Sequence, residues 1–159
     1  MGIAALVAWV LTAGGGFVLV GRWVAAGGLR QQGGGSTRFP SGLVFGHAGL
    51  AAAGLVLWIV YLALDADALT WVAFALLVVV ALLGFTLFSR WLPTRRAGPA
   101  VSASRGTGGH RAGVDSRPVG TAGSEPAERQ LPGPVVAAHG LLAVTTVVLV
   151  LLTALGVGS

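Results

Sequence analysis

The sequence predicts an all-α integral membrane protein, a four-helix bundle made of two parallel two-helix repeats. Three observations predict it. Only 9% of the 159 residues are charged and 55% are hydrophobic, whereas the surface of a soluble domain draws on charged residues amounting to about a quarter of the chain. Four segments reach the roughly 20 apolar residues that a bilayer-spanning helix needs. Finally, the chain matches itself at two offsets.

The spans are read at about residues 3–25, 42–64, 69–92 and 134–157, and none contains Asp, Glu or Lys. The first two form the first repeat, residues 1–64. The third helix occupies 65–92 and the fourth 133–159. Arg22 and Arg90 close the first and third spans, where a long side chain can snorkel to the interface. The first span lacks a basic leader, which argues against a cleaved signal peptide.

Orientation follows from arginine. All ten basic residues are Arg: Arg22, Arg30 and Arg38 flank the first connection, and the other seven (Arg90, Arg95, Arg96, Arg105, Arg111, Arg117 and Arg129) lie around the third. The second connection carries Asp65 and Asp67 and no cation. The positive-inside rule then puts connections one and three in the cytoplasm and both termini outside, in a multi-pass protein of the plasma membrane. Trp23 and Trp91 fall in the inner aromatic belt, and Trp58, Tyr61 and Trp71 in the outer one.

The cytoplasmic connections read as unstructured. Residues 27–41 include GGLRQQGGGS, a flexible linker composition. Residues 93–132 are rich in Gly, Ser, Thr, Pro and Arg, too poor in large apolar groups to offset the entropy of ordering, and are expected to be a disordered cytoplasmic loop. His110 within it reads as a solvated histidine, since no second ligand stands at helical spacing.

A shift of 68 lays GFVLVGRW (16–23) on GFTLFSRW (84–91), joining Arg22 to Arg90 and Trp23 to Trp91. A shift of 92 lays PSGLVFGHAGLA (40–51) on PGPVVAAHGLLA (132–143), joining Pro40 to Pro132 and His47 to His139. Apolar coincidences mean little between membrane helices, but paired Pro, His, Arg and Trp are hard to obtain by chance. Both units begin outside, so the repeat is parallel and its two-fold axis runs along the membrane normal. Each histidine lies seven residues past its proline, about 10 Å into the helix at 1.5 Å per residue.

An ionisable residue inside a span is a functional-site hypothesis by default. Two imidazole nitrogens facing each other across the axis could ligate a haem iron from both sides. Small neighbours leave room beside each ring: Gly46, Ala48, Gly49, Ala51 and Gly54 near His47, and Ala138, Gly140, Ala143 and Thr146 near His139. Arg22 and Arg90 match the geometry of haem propionates. On these residues and the bundle layout the chain resembles membrane b-type cytochromes of the cytochrome b561-like families. That resemblance implies a b-type haem and electron transfer. Those families commonly carry two histidine pairs per bundle, and this chain has one, so at most one haem is implied.

A second reading stands beside the first. A histidine in a span can simply hydrogen-bond to the next helix, worth on the order of 0.6 kcal/mol, and the arginines can be plain topological anchors. The chain is then a non-catalytic scaffold or accessory subunit acting through helix contacts. Transport or proton relay has less support, because no carboxylate lies within a span. An enzyme has little, because no acidic residue in a span stands by to orient the histidines or act as a base. With no cysteine, disulfides, iron–sulfur clusters and thiolate zinc sites are excluded. The partners implied are the lipid bilayer and other membrane or respiratory-chain proteins. Nucleic acid is not among them, because the arginines lie between apolar spans and form no amphipathic face. Reporter fusions test the orientation: a fusion after Arg96 should report the cytoplasm and one after Ser159 the outside, and finding both on one side would overturn it.

Overall fold

The computed structural model describes residues 1–32, 37–96 and 126–157. The chain forms four long helices, α1 (Gly2–Ala25), α2 (Ser41–Leu64), α3 (Asp67–Arg96) and α4 (Gly133–Ala154), with short 3₁₀ turns at Arg30–Gln32 and Ala127–Gln130. All four are long and apolar enough to cross a membrane, and at most 17% of any apolar window is buried within the protein. The rest of that apolar surface suits lipid, so this is a multi-pass membrane protein.

The helix ends follow from local chemistry. Gly27 and Gly156 take positive φ, 84° and 73°. Each lets the chain turn back so that two backbone N–H groups reach the last carbonyls: Gly27 N to Val24 O and Gly28 N to Trp23 O, and Gly156 N to Thr153 O and Val157 N to Leu152 O. This is the double-bonded glycine cap of a helix C-terminus, and it ends α4 at Ala154, short of the expected 157. Asp65 ends α2 in the left-handed region at φ 52°, a conformation that Asp tolerates better than most residues. The α2–α3 turn is therefore only two residues long.

α3 runs past the expected boundary at Leu92. Pro93 lies inside the helix with an exposed ring, while Trp91 and Thr94 on either side are buried. A proline there removes one hydrogen bond of the ladder, and the packing of its neighbours carries the helix on to Arg96.

Going round the bundle, α1 adjoins α2, α2 adjoins α3, α3 adjoins α4 and α4 adjoins α1, so α2 and α4 are diagonal. The close sides are α1–α4 and α2–α3. One core layer lies toward the Asp-bearing end and contains Ala5, Trp9, Trp58, Ala73, Leu77 and Val150. The offsets of 68 and 92 pair Ala5 with Ala73, Trp9 with Leu77, and Trp58 with Val150. Two indoles from the first unit thus face two smaller residues from the second, so the layer is filled without four large rings. Trp58 Nε1 donates to Gly2 O at 3.1 Å, and the Trp9 and Trp58 rings stand 6.3 Å apart.

The second layer, at the arginine-bearing end, contains Trp23, Phe39, Val44, Trp91, Ala127 and Leu131. Phe39 and Leu131 directly precede Pro40 and Pro132, and each is a repeat counterpart of the other. Here the structure corrects the expectation that 93–132 has no packed part. Residues 97–125, including His110, lie outside the described residues, but Ala127 and Glu128 are fully buried and Leu131 is nearly so. The first connection is also partly built into the fold, because Gln31 is buried and its Oε1 accepts from Ala127 N at 3.0 Å. Composition averaged over 40 residues hid the three that are buried in the turn ahead of α4. Shortening the chain within 98–124 should leave the bundle intact. Leu131→Ala should lower stability by about 2–5 kcal/mol, as for other buried leucines; a denaturation midpoint in detergent that does not move would refute the packed role.

Candidate functional site

His47 and His139 come together across the bundle. They stand on the diagonal helices α2 and α4, half-buried, with ring centroids 6.3 Å apart and planes inclined at 69°. Their separation from the helix starts at Pro40 and Pro132 is the same, so the repeat brings them to a common depth.

Each ring is held by the neighbouring helix. His47 Nδ1 bonds to Val80 O on α3 at 3.0 Å, and His139 Nδ1 bonds to Thr12 O on α1 at 2.9 Å. A carbonyl oxygen can only accept, so Nδ1 carries the proton in both rings. In a neutral imidazole that leaves Nε2 as the nitrogen with a free lone pair. Thr12 and Val80 are 68 residues apart, so the two bonds are repeat images of each other. A two-fold axis running along the bundle generates this arrangement.

Glycine makes the approach possible. A Cβ on Gly84 would stand 3.0 Å from His47 Cε1, and one on Gly16 would stand 3.2 Å from His139 Cε1. These glycines are also 68 apart. Each lies one turn past the carbonyl that its partner histidine uses, and the missing side chain is what lets the ring lie against the helix.

The two halves differ beside the pair. Thr12 Oγ1 lies 3.2 Å from Thr146 Oγ1, and each hydroxyl also donates to the carbonyl four residues back. The repeat counterparts, Val80 and Gly54, are apolar, and the Trp9 ring fills the space at Gly54, where a Cβ would come within 2.9 Å of it. His139 therefore bonds to the carbonyl of a hydroxyl-bearing residue, Thr12, and His47 to that of the apolar Val80.

Arg22 and Arg90 sit at the surface of the arginine-bearing end. They stand six residues past Gly16 and Gly84, about 9 Å farther along the axis. Arg90 Nη1 donates to Arg38 O at 3.1 Å. The structure thus brings the two histidines together and leaves both arginines at the rim.

The pattern of identities in the repeat had already marked Gly16 and Gly84, which open the matching GFVLVGRW and GFTLFSRW segments. It could not mark Thr12 and Val80, because the acceptor in each case is a main-chain carbonyl and any side chain serves. Comparison with known protein families, with curated proteins and with solved structures finds no match to this chain.

The glycine contacts are directly testable. Gly84→Ala and Gly16→Ala should each destabilise by about 1–3 kcal/mol through overpacking against the imidazole. Gly46→Ala, whose Cβ would meet nothing within 4 Å, should be neutral or stabilising by up to about 1 kcal/mol. Equal effects at all three positions, read as denaturation midpoints in detergent, would show that the rings do not lie against Gly16 and Gly84.

Proposed function

We propose that this small membrane protein holds one b-type haem between His47 and His139 and uses it for one-electron transfer. The observation that carries the reading is the histidine pair, with both Nδ1 atoms bonded to carbonyls. Metal-ligating histidines commonly donate their other ring N–H to a backbone carbonyl, which fixes the ring and raises its basicity. Nitrogen ligands stand about 2 Å from a metal, so two imidazoles on opposite sides of one ion have their ring centres about 6 Å apart. The 6.3 Å between the rings agrees with that spacing. Among the described residues no group of three or more His, Cys, Asp or Glu gathers as a metal site, so an ion at this pair needs equatorial ligands from elsewhere, as a macrocycle provides.

In this reading His47 and His139 are the axial ligands. Gly16 and Gly84 let the rings lie against α1 and α3, and the main-chain oxygens of Thr12 and Val80 hold their orientation. Arg22 and Arg90 pair with propionates at the rim, which we place on the cytoplasmic side of the plasma membrane from the arginine count. When bound, haem supplies a one-electron couple whose potential depends on its axial ligands and their hydrogen bonds. With a single pair the redox centre lies in one leaflet, and exchange is with a membrane or respiratory-chain partner at that face.

One observation favours the scaffold reading. The same Nδ1–carbonyl bonds already tie α2 to α3 and α4 to α1, which is what an interhelical histidine does without a cofactor. The optical spectrum of protein produced with ample haem separates the two. Haem binding predicts a low-spin spectrum that His47→Ala and His139→Ala each abolish, while Arg22→Ala and Arg90→Ala retain it with weaker binding. Colourless wild-type protein would end the haem reading and leave a structural membrane subunit.

A further inference from the structure

The two helices that carry the histidines do not pack side by side, because α2 and α4 are diagonal. Something must nevertheless hold them at one height. At the arginine-bearing end, one side chain joins the segments that lead into both. Glu128, four residues before Pro132, is fully buried. Its Oε1 accepts hydrogen bonds from Thr37 Oγ1, from the backbone N–H of Arg38 and from the backbone N–H of Phe39 at 2.8 Å. Phe39 is the residue before Pro40. A single carboxylate oxygen therefore gathers three consecutive residues ahead of α2 while standing on the turn ahead of α4.

The surroundings make the join specific. Ala127 N donates to Gln31 Oε1 at 3.0 Å, and Gln32 Nε2 donates to Phe39 O at 2.6 Å. The first bond joins the same two segments, the second ties Gln32 to Phe39 within the segment ahead of α2, and Ala127, Phe39 and Leu131 pack in one layer with Trp23 and Trp91. Glu128 Oε2 has no hydrogen-bond partner among the described residues. A buried carboxylate with one oxygen bearing three donors and the other bearing none is a costly feature. A small apolar residue at 128 would fill a helix-packing role alone without that cost.

We infer that Glu128 is the positioning residue of the histidine pair, fixing the height and rotation of α4 against α2 and so the disposition of His47 and His139. From Phe39 to His47 is eight residues, and from Glu128 to His139 eleven. Beyond Pro40 and Pro132 both paths are rigid helix, so a displacement at the join is carried to the rings. The haem readouts below rest on the reading given under Proposed function, and the distance readout does not.

The full-length protein in lipid nanodiscs provides the test. It has no native cysteine, so Phe45→Cys and Leu141→Cys, both at exposed positions two residues from the histidines, can be spin-labelled selectively. A dipolar measurement between the labels reads the α2–α4 distance without any cofactor. Glu128→Ala should broaden and shift that distribution. Glu128→Gln should retain it, because its amide oxygen can still accept from the backbone N–H groups of Arg38 and Phe39. Thr37→Ala, which removes one donor and leaves the two backbone N–H groups, should give a smaller shift and guards against Glu128→Ala failing to fold. In haem-loaded protein the ferric g-values report the angle between the imidazole planes. Glu128→Ala should shift them and weaken haem retention by about 10- to 100-fold, as loss of an outer-shell partner does, with Glu128→Gln close to wild type. If Glu128→Ala or Thr37→Ala lowers only the yield, with label distances and g-values unchanged, the positioning role is refuted. Colourless wild-type protein with a distance that follows Glu128 would refute the haem reading and uphold this one.

Discussion

A histidine carried into an apolar layer must put its ring N–H on an acceptor, and the helices of this bundle are arranged around that requirement. The nearest acceptors in a span are main-chain carbonyls, already used within their own helix but with a second lone pair available. Reaching one from a neighbouring helix demands a close approach, and Gly16 and Gly84 supply it by presenting no Cβ to the rings. The His139–Thr12 and His47–Val80 bonds lie on the two close sides of the bundle, α1–α4 and α2–α3. Because lipid offers no hydrophobic drive for helices to associate, small residues and polar links of this kind decide which helices adhere.

The repeat and the packing divide the chain differently. In sequence the units are α1 with α2 and α3 with α4. In space the close pairs are α2 with α3, joined by a two-residue turn, and α1 with α4, from opposite ends of the chain. Each histidine thus bonds to a helix of the other unit, and neither unit can complete its half of the site alone. The duplication has also diverged by volume, with Trp9 and Trp58 facing Leu77 and Val150 in a shared layer. Beside the pair it has diverged by polarity, with Thr12 and Thr146 opposite Val80 and Gly54. A symmetric frame therefore holds two rings in unequal surroundings.

The arginine-bearing end is the more elaborately bonded. Glu128 and Gln31 cross-link the two connections through main-chain atoms and Gln32 braces the first by bonding to Phe39 O, under a cap formed by Trp23, Trp91, Phe39 and Leu131. The opposite end closes with the Asp65 turn and the indole of Trp58 on Gly2 O. Polar order is thus concentrated on the side of the bundle where the histidines enter their helices.

The sequence by itself determined the number of spans, their approximate limits, the two-unit repeat and the pairing of His47 with His139. These follow from apolar length and from coincidences of rare residue types, both properties of the one-dimensional string. It misplaced the ends of α3 and α4 by a few residues, since Pro93 could be carried by its buried neighbours and Gly156 could cap the helix early. It missed the packed turn at Ala127–Gln130, because a short apolar and acidic stretch within a Gly- and Pro-rich loop has no periodicity to announce it. Tertiary structure alone decided that the histidines bond to Val80 and Thr12, that the close pairs cross the repeat, and that Glu128 joins the two helix starts. The physical reason is common to all three. The acceptors at the histidines and most of the donors at Glu128 are main-chain atoms, which every residue possesses, so only their position in space distinguishes them.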